Sequence, residues 1–123
     1  MAKKVLIIDD SNTMRKIVSR SLRQAGLDCD VILEAGDGAE ALALLENEKV
    51  DIILSDINMP NMDGIEFLRA KGSKSELKAI PVVMITTEAG AEILAETRAL
   101  GSVGNIKKPF TPDQVRDVLG NFF

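Results

Sequence analysis

Charged and hydroxyl side chains follow the short apolar runs of this 123-residue sequence, where predicted strands would end. Asp9 and Asp10 follow the first run, Asp56 the third, Thr86 the fourth and Lys108 the fifth. In open α/β sheets, sites form beyond the carboxyl ends of the strands, so these side chains are expected to meet at one edge of the sheet. The residue types predict an acidic metal site next to a fixed positive charge.

Carboxylates gathered at one edge of a sheet must be compensated by positive charge. Two of them about 4 Å apart repel by about 4 kcal/mol at an effective dielectric constant near 20. A third makes the repulsion a sizeable part of a total stability of about 5–15 kcal/mol. Mg²⁺ is the natural compensation, because it binds one or two carboxylates together with waters and phosphate oxygens. We therefore predict Mg²⁺ as the cofactor, with Mn²⁺ as an alternative ion.

The spacing of the acidic residues divides their roles. Asp9 and Asp10 would point to opposite sides of an extended strand, so a turn directly after them must bring both to the metal. Asp56 stands alone after another strand and is the better nucleophile, since carboxylates form aspartyl-phosphates. The metal and the Lys108 ammonium would neutralise the charge of an incoming phosphoryl group, and Thr86 would donate a hydrogen bond to its oxygens.

The apolar runs alternate with amphipathic segments along the whole chain. The runs are 5–8, 31–33, 52–54, 82–85 and a weaker one at 103–107. Continuous β-branched runs are typical of strands buried on both faces of a parallel sheet. Parallel neighbours need long crossovers, which are right-handed almost without exception. The prediction is an α/β fold with a five-stranded parallel sheet and five helices, arranged in three layers. The order of the strands in the sheet does not follow from periodicity alone.

The amphipathic segments have recognisable helix ends. Asp37 with Glu40 forms an acidic capping box for the second helix, and Asp63 caps the third. The fourth helix is predicted over 88–100, and Thr111 caps the last one ahead of a first-turn proline. The lysines after the start of the third helix are interpreted as a solvated face: Lys71, Lys74 and Lys78.

Composition excludes several classes of function. One domain over residues 1–123 is expected from the length. Cys29 is the only cysteine, which excludes an internal disulfide framework and fits a reducing cytoplasm. The net charge of −4 does not favour nucleic acid, and no apolar stretch approaches the roughly 20 residues of a membrane span. Because histidine is absent, Ser-His and Cys-His pairs and an internal phosphohistidine are excluded.

Taken together and in order, these motifs resemble the receiver domains of response regulators of the CheY type. The matching features are the acid pair after the first strand, Asp56 with the segment 58–64, Thr86 after the fourth strand, and Lys108 followed by Pro109 and Phe110. The resemblance covers essentially the whole chain and implies the flavodoxin-like strand order 2-1-3-4-5. It also implies a two-component phosphorelay, in which a histidine kinase of the CheA type transfers a phosphoryl group to Asp56.

The resemblance assigns further roles to individual residues. Asp10, Asp56 and the backbone carbonyl of Asn58 would bind Mg²⁺, while Asp9 would reach the ion through water. The peptide bond between Lys108 and Pro109 would be cis, a geometry that the proline makes accessible, and would aim the lysine at the phosphoryl group.

Two further positions connect the chain with chemotaxis proteins. Asn58 and Glu88 lie where relatives carry residues that flank the phosphoryl group and tune its hydrolysis, and both types match those of chemotaxis CheY proteins. The expectation is a cytoplasmic, monomeric switch whose target resembles the flagellar motor switch, with a phosphatase as a further partner. It would bind neither nucleic acid nor membrane. It would not be an enzyme beyond catalysing its own phosphoryl transfer and dephosphorylation.

One position departs from the family pattern. Most relatives carry an aromatic residue on the fifth strand, three residues before the lysine, where this sequence has Asn105. In the family that ring moves into the space vacated when the residue at the position of Thr86 swings toward the phosphoryl group. Asn105 is too small and too polar for this part, so we expect it to stay partly exposed and the signal to run through Thr86 and the fourth helix.

Other functions fit the residues less well. A flavodoxin would need a phosphate loop rich in Ser, Thr and Gly after the first strand and aromatic residues to stack the flavin, and a Walker-type enzyme would need Gly-x-x-x-x-Gly-Lys. A transcription factor is not expected, because no DNA-binding segment follows the last helix. A docking module independent of phosphorylation stays an alternative, as does a receiver that acts as a phosphate sink or relay outside chemotaxis.

Overall fold

The five apolar runs form a single parallel sheet in the computed structural model, which describes residues 3–27, 29–87 and 90–123. The strands are β1 (Lys3–Ile8), β2 (Cys29–Ala35), β3 (Ile52–Ser55), β4 (Val82–Thr86) and β5 (Ser102–Lys107). Their order is β2-β1-β3-β4-β5, and each neighbouring pair is parallel. Both the predicted fold class and the strand order implied by the resemblance are confirmed.

Helices connect the strands on both sides of the sheet. They are α1 (Asn12–Gln24), α2 (Gly38–Leu45), α3 (Gly64–Gly72), α4 (Ser75–Lys78), α5 (Ala91–Ala99) and α6 (Pro112–Leu119). Polar caps start several of them as predicted, because the first N–H groups of a helix lack partners within it. Asp37 caps α2, while Asp63 with Glu66 and Thr111 with Gln114 complete capping boxes at α3 and α6.

The sheet separates two apolar clusters, which gives the predicted three layers. The cluster on the side of α1 and α6 includes Val5, Ile7, Leu22, Leu54, Val83, Val115 and Leu119. The cluster on the side of α2, α3 and α4 includes Leu6, Ile8, Ala41, Ile53, Phe67, Leu77 and Met84. Successive strand residues point to opposite faces, so β1, β3 and β4 contribute to both clusters and are buried throughout their central residues.

The strand β2 was predicted to be buried on both faces, and the structure shows that it is not. It lies at an edge of the sheet, and Val31 is 39% exposed. The run 31–33 is apolar, but an edge strand has a neighbour on only one side and its helix layer covers it incompletely. Among the helices of the described ranges, none has the length and apolar character needed to cross a membrane.

The region from α3 to α5 also differs from the prediction in its details. The helix α4 was not predicted, because four residues are too short to show a helical period. The predicted helix 88–100 corresponds to α5, whose first residue is Ala91, and residues 88 and 89 lie outside the described ranges.

Lys71 is buried, which corrects its interpretation as part of a solvated face. Only 5% of the residue is exposed, and its ammonium donates a hydrogen bond to the carbonyl of Lys78 at 3.1 Å. Burial lowers the pKa of Lys71, because the charged form loses hydration inside the fold. Lys74 and Lys78 are exposed, as predicted.

Candidate functional site

The acidic residues meet at the carboxyl edge of the sheet. β1 and β3 are neighbours with Ile8 in register with Ser55, so Asp9 and Asp56 leave adjacent strands at the same level. Carboxylate oxygens of Asp9, Asp10 and Asp56 all lie within 4.8 Å of one another. The convergence of these three carboxylates, predicted from their positions after the apolar runs, is therefore observed.

A tight connection from β1 to α1 turns the acid pair toward the site. Ser11 caps α1, and its own N–H donates to Oδ1 of Asp9 at 2.9 Å. The N–H of Asp9 donates to the carbonyl of Ala35 on β2 at 3.1 Å. Asp9 is buried and Asp10 is exposed, and the turn brings both carboxylates to Asp56 as expected.

Lys108 lies between two of the carboxylates. Its Nζ is 2.9 Å from Oδ2 of Asp9 and 3.1 Å from Oδ2 of Asp56. The side chain is 12% exposed, so these ion pairs are largely shielded from water. The backbone N–H of Lys108 donates to the carbonyl of Thr86 at 2.9 Å, and the bond to Pro109 is cis, as the resemblance implied.

The electrostatics of Lys108 reflect this position. Burial alone lowers the pKa of its ammonium, but the hydrogen bond to Asp9 and the charge of Asp56 outweigh burial. The pKa of Lys108 is therefore raised above its usual value of 10.5. The ammonium therefore supplies part of the positive charge that compensates the clustered carboxylates.

Replacing Lys108 by methionine is expected to lower the free energy of unfolding of the metal-free protein by about 2 kcal/mol at neutral pH. Since the folded-state pKa of Lys108 is raised, its contribution is complete below about pH 10.5 and is lost as the pH rises through the folded-state value. The stability difference between wild type and Lys108→Met should therefore shrink at alkaline pH.

Urea unfolding followed by circular dichroism from pH 7 to pH 11 tests this expectation. The exposed neighbour Lys107 provides the matched control, because Lys107→Met makes the same change of charge. A pH-independent difference between wild type and Lys108→Met would contradict the assigned ion pairs.

Asp56 is held by the backbone around it. Its N–H donates to the carbonyl of Ile8 at 2.9 Å, which continues the pairing of β1 with β3. Its Oδ1 accepts a hydrogen bond from the N–H of Ile57 at 2.7 Å, while Oδ2 faces Lys108. The side chain remains 13% exposed. Asp56 is thus oriented through both oxygens and still accessible from the sheet edge.

Thr86 and Asn105 lie on the same face of two adjacent strands. Asn105 is in register with Met84 on β4, and Thr86 follows Met84 by two residues. Thr86 is 1% exposed, at the end of β4. Asn105 is partly exposed, as expected, but within the described part of the chain its Oδ1 is buried and has no hydrogen-bond partner.

The roles predicted for Asn58 and Glu88, the two other tuning positions, are not tested by the structure. Asn58 is exposed in the connection between β3 and α3, and the role of its carbonyl stays a prediction. Glu88 lies outside the described residues, so its position next to the site also stays a prediction.

The donor set fits the predicted metal. Mg²⁺ prefers oxygen ligands at about 2.1 Å, so two of its ligands are at most about 4 Å apart. The carboxylate oxygens of Asp9, Asp10 and Asp56, within 4.8 Å of one another, come close to this spacing. Asp10 is the most exposed of the three, which leaves room for waters or phosphate oxygens on its side of the site.

Two side-chain contacts were not predicted from the sequence, and the first of them holds the backbone of Asp9. The Arg15 guanidinium donates to the backbone carbonyl of Asp9, and the Asn61 amide donates to Asp37 at 3.0 Å. Arg15 lies one helical turn after the cap residue Ser11, a spacing that places both on one side of α1. Asn61 has a φ of 65°, in the left-handed region that asparagine tolerates, although its side-chain partner is not readable from the sequence.

Comparison with known proteins agrees with this geometry. The model of the response regulator receiver domain matches residues 5–120. Chemotaxis protein CheY-3 of Vibrio cholerae is 42% identical over 120 residues, covering 98% of this chain and 91% of that protein. Chemotaxis protein CheY of Pseudomonas aeruginosa is 38% identical over 120 residues, covering 98% and 95%. The structure of V. cholerae CheY4 superimposes with a TM-score of 0.87 at 39% identity, with both chains fully covered. The chain belongs to the response regulator receiver family.

Proposed function

We propose that this protein accepts a phosphoryl group on Asp56 in a Mg²⁺-dependent reaction and thereby changes its affinity for a partner protein. The observation that carries the proposal is the position of Asp56, which is within 4.8 Å of two further carboxylates and 3.1 Å from the Lys108 ammonium. Such a site combines a nucleophile with a metal-binding pair and a fixed cation. Each of these favours transfer of a negatively charged group.

The transfer is a displacement at phosphorus. A carboxylate oxygen of Asp56 forms a bond to phosphorus while the bond from phosphorus to the donor atom breaks, and the leaving group departs with that electron pair. Lys108, already in contact with Asp56, stabilises the negative charge on the phosphoryl oxygens. Asp9, Asp10 and Asp56 would hold Mg²⁺, which when bound neutralises charge on the phosphoryl group and aligns it with Asp56.

The donor that suits this chain is a phosphohistidine of a partner kinase, since the chain contains no histidine. The similarity to chemotaxis proteins favours a kinase of the CheA type, an output in chemotaxis such as the flagellar motor switch, and a phosphatase that resets the site. The protein would act as a monomer in the cytoplasm, a reducing compartment with which its single cysteine is compatible. It would catalyse only its own phosphorylation and dephosphorylation.

The output proposed here runs through Thr86. A phosphoryl group on Asp56 would attract the Thr86 hydroxyl and alter the end of β4 and the segment leading to α5. Asn105 lies on the same face but has neither the volume nor the shape of the ring that most relatives carry. A coupling free energy of about 1–3 kcal/mol would be sufficient for such a switch.

Phosphoryl labelling is expected to require a divalent cation. With acetyl phosphate as the donor, the purified protein should incorporate up to one phosphoryl group per chain in Mg²⁺, and none above background in EDTA. Mn²⁺ should restore labelling, because it accepts the same oxygen ligands. Equal labelling in Mg²⁺ and in EDTA would overturn the metal dependence. No labelling under any condition would favour the alternative of a phosphorylation-independent docking module.

A further inference from the structure

Arg15 on α1 connects three elements beneath the acid pair. Its Nε donates to Oε1 of Glu34 on β2 at 2.8 Å, and its Nη1 donates to the backbone carbonyl of Asp9. Its Nη2 lies 3.3 Å from Oδ1 of Asn12 in the first turn of α1. The side chain is 16% exposed. One guanidinium therefore ties the end of β1 to a neighbouring strand and to the following helix.

The carbonyl that Arg15 holds belongs to the peptide bond between Asp9 and Asp10. The other polar groups of Asp9 are also fixed: its N–H by Ala35, and its carboxylate by the N–H of Ser11 and by Lys108. The rotation of this peptide determines the direction in which the chain leaves Asp9. The orientation of the Asp10 carboxylate therefore depends on the hydrogen bond from Arg15.

Glu34 keeps the guanidinium in place. It accepts hydrogen bonds from Lys16 at 2.6 Å and from Arg15 at 2.8 Å. The hydrogen bond from Lys16 lowers the pKa of Glu34, and Arg15 lowers it further against the opposing effect of burial. Glu34 is therefore ionised at neutral pH, and Arg15 retains a charged anchor on β2.

We infer that Arg15 is a positioning residue for the metal site, which fixes the Asp9–Asp10 peptide so that the Asp10 carboxylate faces Asp9 and Asp56. The inference rests on the proposed function in one respect, namely that Mg²⁺ binds these carboxylates. The hydrogen bonds of Arg15 described above go to Glu34, the Asp9 carbonyl and Asn12, and not to the carboxylates of the site. Arg15 acts through the backbone, as partners behind metal ligands commonly do.

The direction in which Mg²⁺ affinity changes when Arg15 is replaced distinguishes a positioning role from a purely electrostatic one. Arg15 carries a positive charge close to a cation site, so Coulomb's law alone predicts that Arg15→Gln binds Mg²⁺ more tightly. Positioning predicts weaker binding by about tenfold, because Asp10 is no longer directed at the site. Arg15→Lys keeps the charge, so electrostatics predicts no change. A lysine ammonium cannot form the same fork of hydrogen bonds, so positioning predicts weaker binding here too.

Isothermal titration of the metal-free protein with MgCl₂ tests the inference. Arg23→Gln is the matched control, because it removes an exposed arginine about 12 Å further along α1 and should leave Mg²⁺ affinity within about twofold of wild type. Circular dichroism checks that each variant is folded. Should Arg15→Gln not fold, Arg15→Lys carries the test alone.

Each outcome decides between the two proposals. Weaker binding by both Arg15 variants, with Arg23→Gln unchanged, supports the positioning role. Equal or tighter binding by Arg15→Gln, or wild-type binding by Arg15→Lys, overturns that role and leaves the proposed function intact. A wild-type protein that binds no Mg²⁺ overturns the metal-dependent function, and with it the role of Arg15.

Discussion

Replacing Asp56 by asparagine is expected to lower phosphoryl labelling by more than about a thousandfold, because the carboxamide is not a nucleophile. The substitution keeps the shape of the side chain, and its Oδ1 can still accept the hydrogen bond from the N–H of Ile57. The fold should therefore survive, as circular dichroism would show. The experiment measures stable incorporation from acetyl phosphate in saturating Mg²⁺.

Asp113→Asn provides the control for this substitution. Asp113 is an exposed carboxylate in the first turn of α6 and pairs with Arg116 of the same helix, so its amide variant should label like wild type. Persistent stoichiometric labelling of Asp56→Asn would mean that another side chain is the acceptor. Loss of labelling in both variants would show that the effect is not specific to the site.

Replacing Gly64 by alanine is expected to destabilise the protein by about 3 kcal/mol or more. A Cβ at this position would lie 2.3 Å from the carbonyl oxygen of Asp56 and 2.9 Å from Cα of Ile57. Both are backbone atoms of the segment that carries Asp56, so neither can rotate away as a flexible side chain would. The added methyl group must push α3 away from the end of β3, and the hydrogen bond from Gly64 N–H to the Ile57 carbonyl would be lost.

The same helix contains the matched control. Gly72 is the last residue of α3, and a Cβ there would meet no atom within 4 Å apart from its two neighbours and the backbone of its own helix. Gly72→Ala should therefore be neutral or stabilise the protein by up to about 1 kcal/mol, since alanine favours helix over glycine. Urea unfolding followed by circular dichroism compares the two variants. Equal free energies of unfolding would show that α3 does not approach Asp56 as closely as described.

The convergence of the acidic residues could be predicted because it depends only on topology. In a parallel sheet all strands end at the same edge, so Asp9, Asp56 and Lys108 were expected at one edge once their runs were identified as strands. The order of the strands could not be derived in the same way. Periodicity describes each strand separately, and the resemblance to a known family was needed to place β1 between β2 and β3.

Features that depend on tertiary packing were not predicted. Lys71 is buried although lysines are almost always exposed, and only the packing of α3 with α4 reveals that its ammonium reaches the carbonyl of Lys78. The contact of Arg15 with the carbonyl of Asp9 likewise requires the bend between β1 and α1. Side-chain to backbone contacts across elements leave no periodic signal in a sequence.

For Asn105 the sequence predicted the partial exposure of the residue but not the burial of one atom of its side chain. The residue is partly exposed, as its size and polarity predict, yet its Oδ1 is buried and has no hydrogen-bond partner within the described residues. A polar oxygen in this state costs free energy unless a donor reaches it. The sequence indicated the departure from the family pattern, but it could not indicate which atom of the side chain is enclosed.

Identification of the phosphorylated residue tests the central claim most directly. Borohydride reduces an aspartyl phosphate to homoserine, so the wild-type protein, labelled with acetyl phosphate in Mg²⁺, can be reduced, digested and sequenced by mass spectrometry. The proposed function predicts homoserine at position 56, dependent on Mg²⁺, with every other aspartate unchanged. Homoserine at Asp9 or Asp10 with Asp56 intact would contradict the assignment of the acceptor.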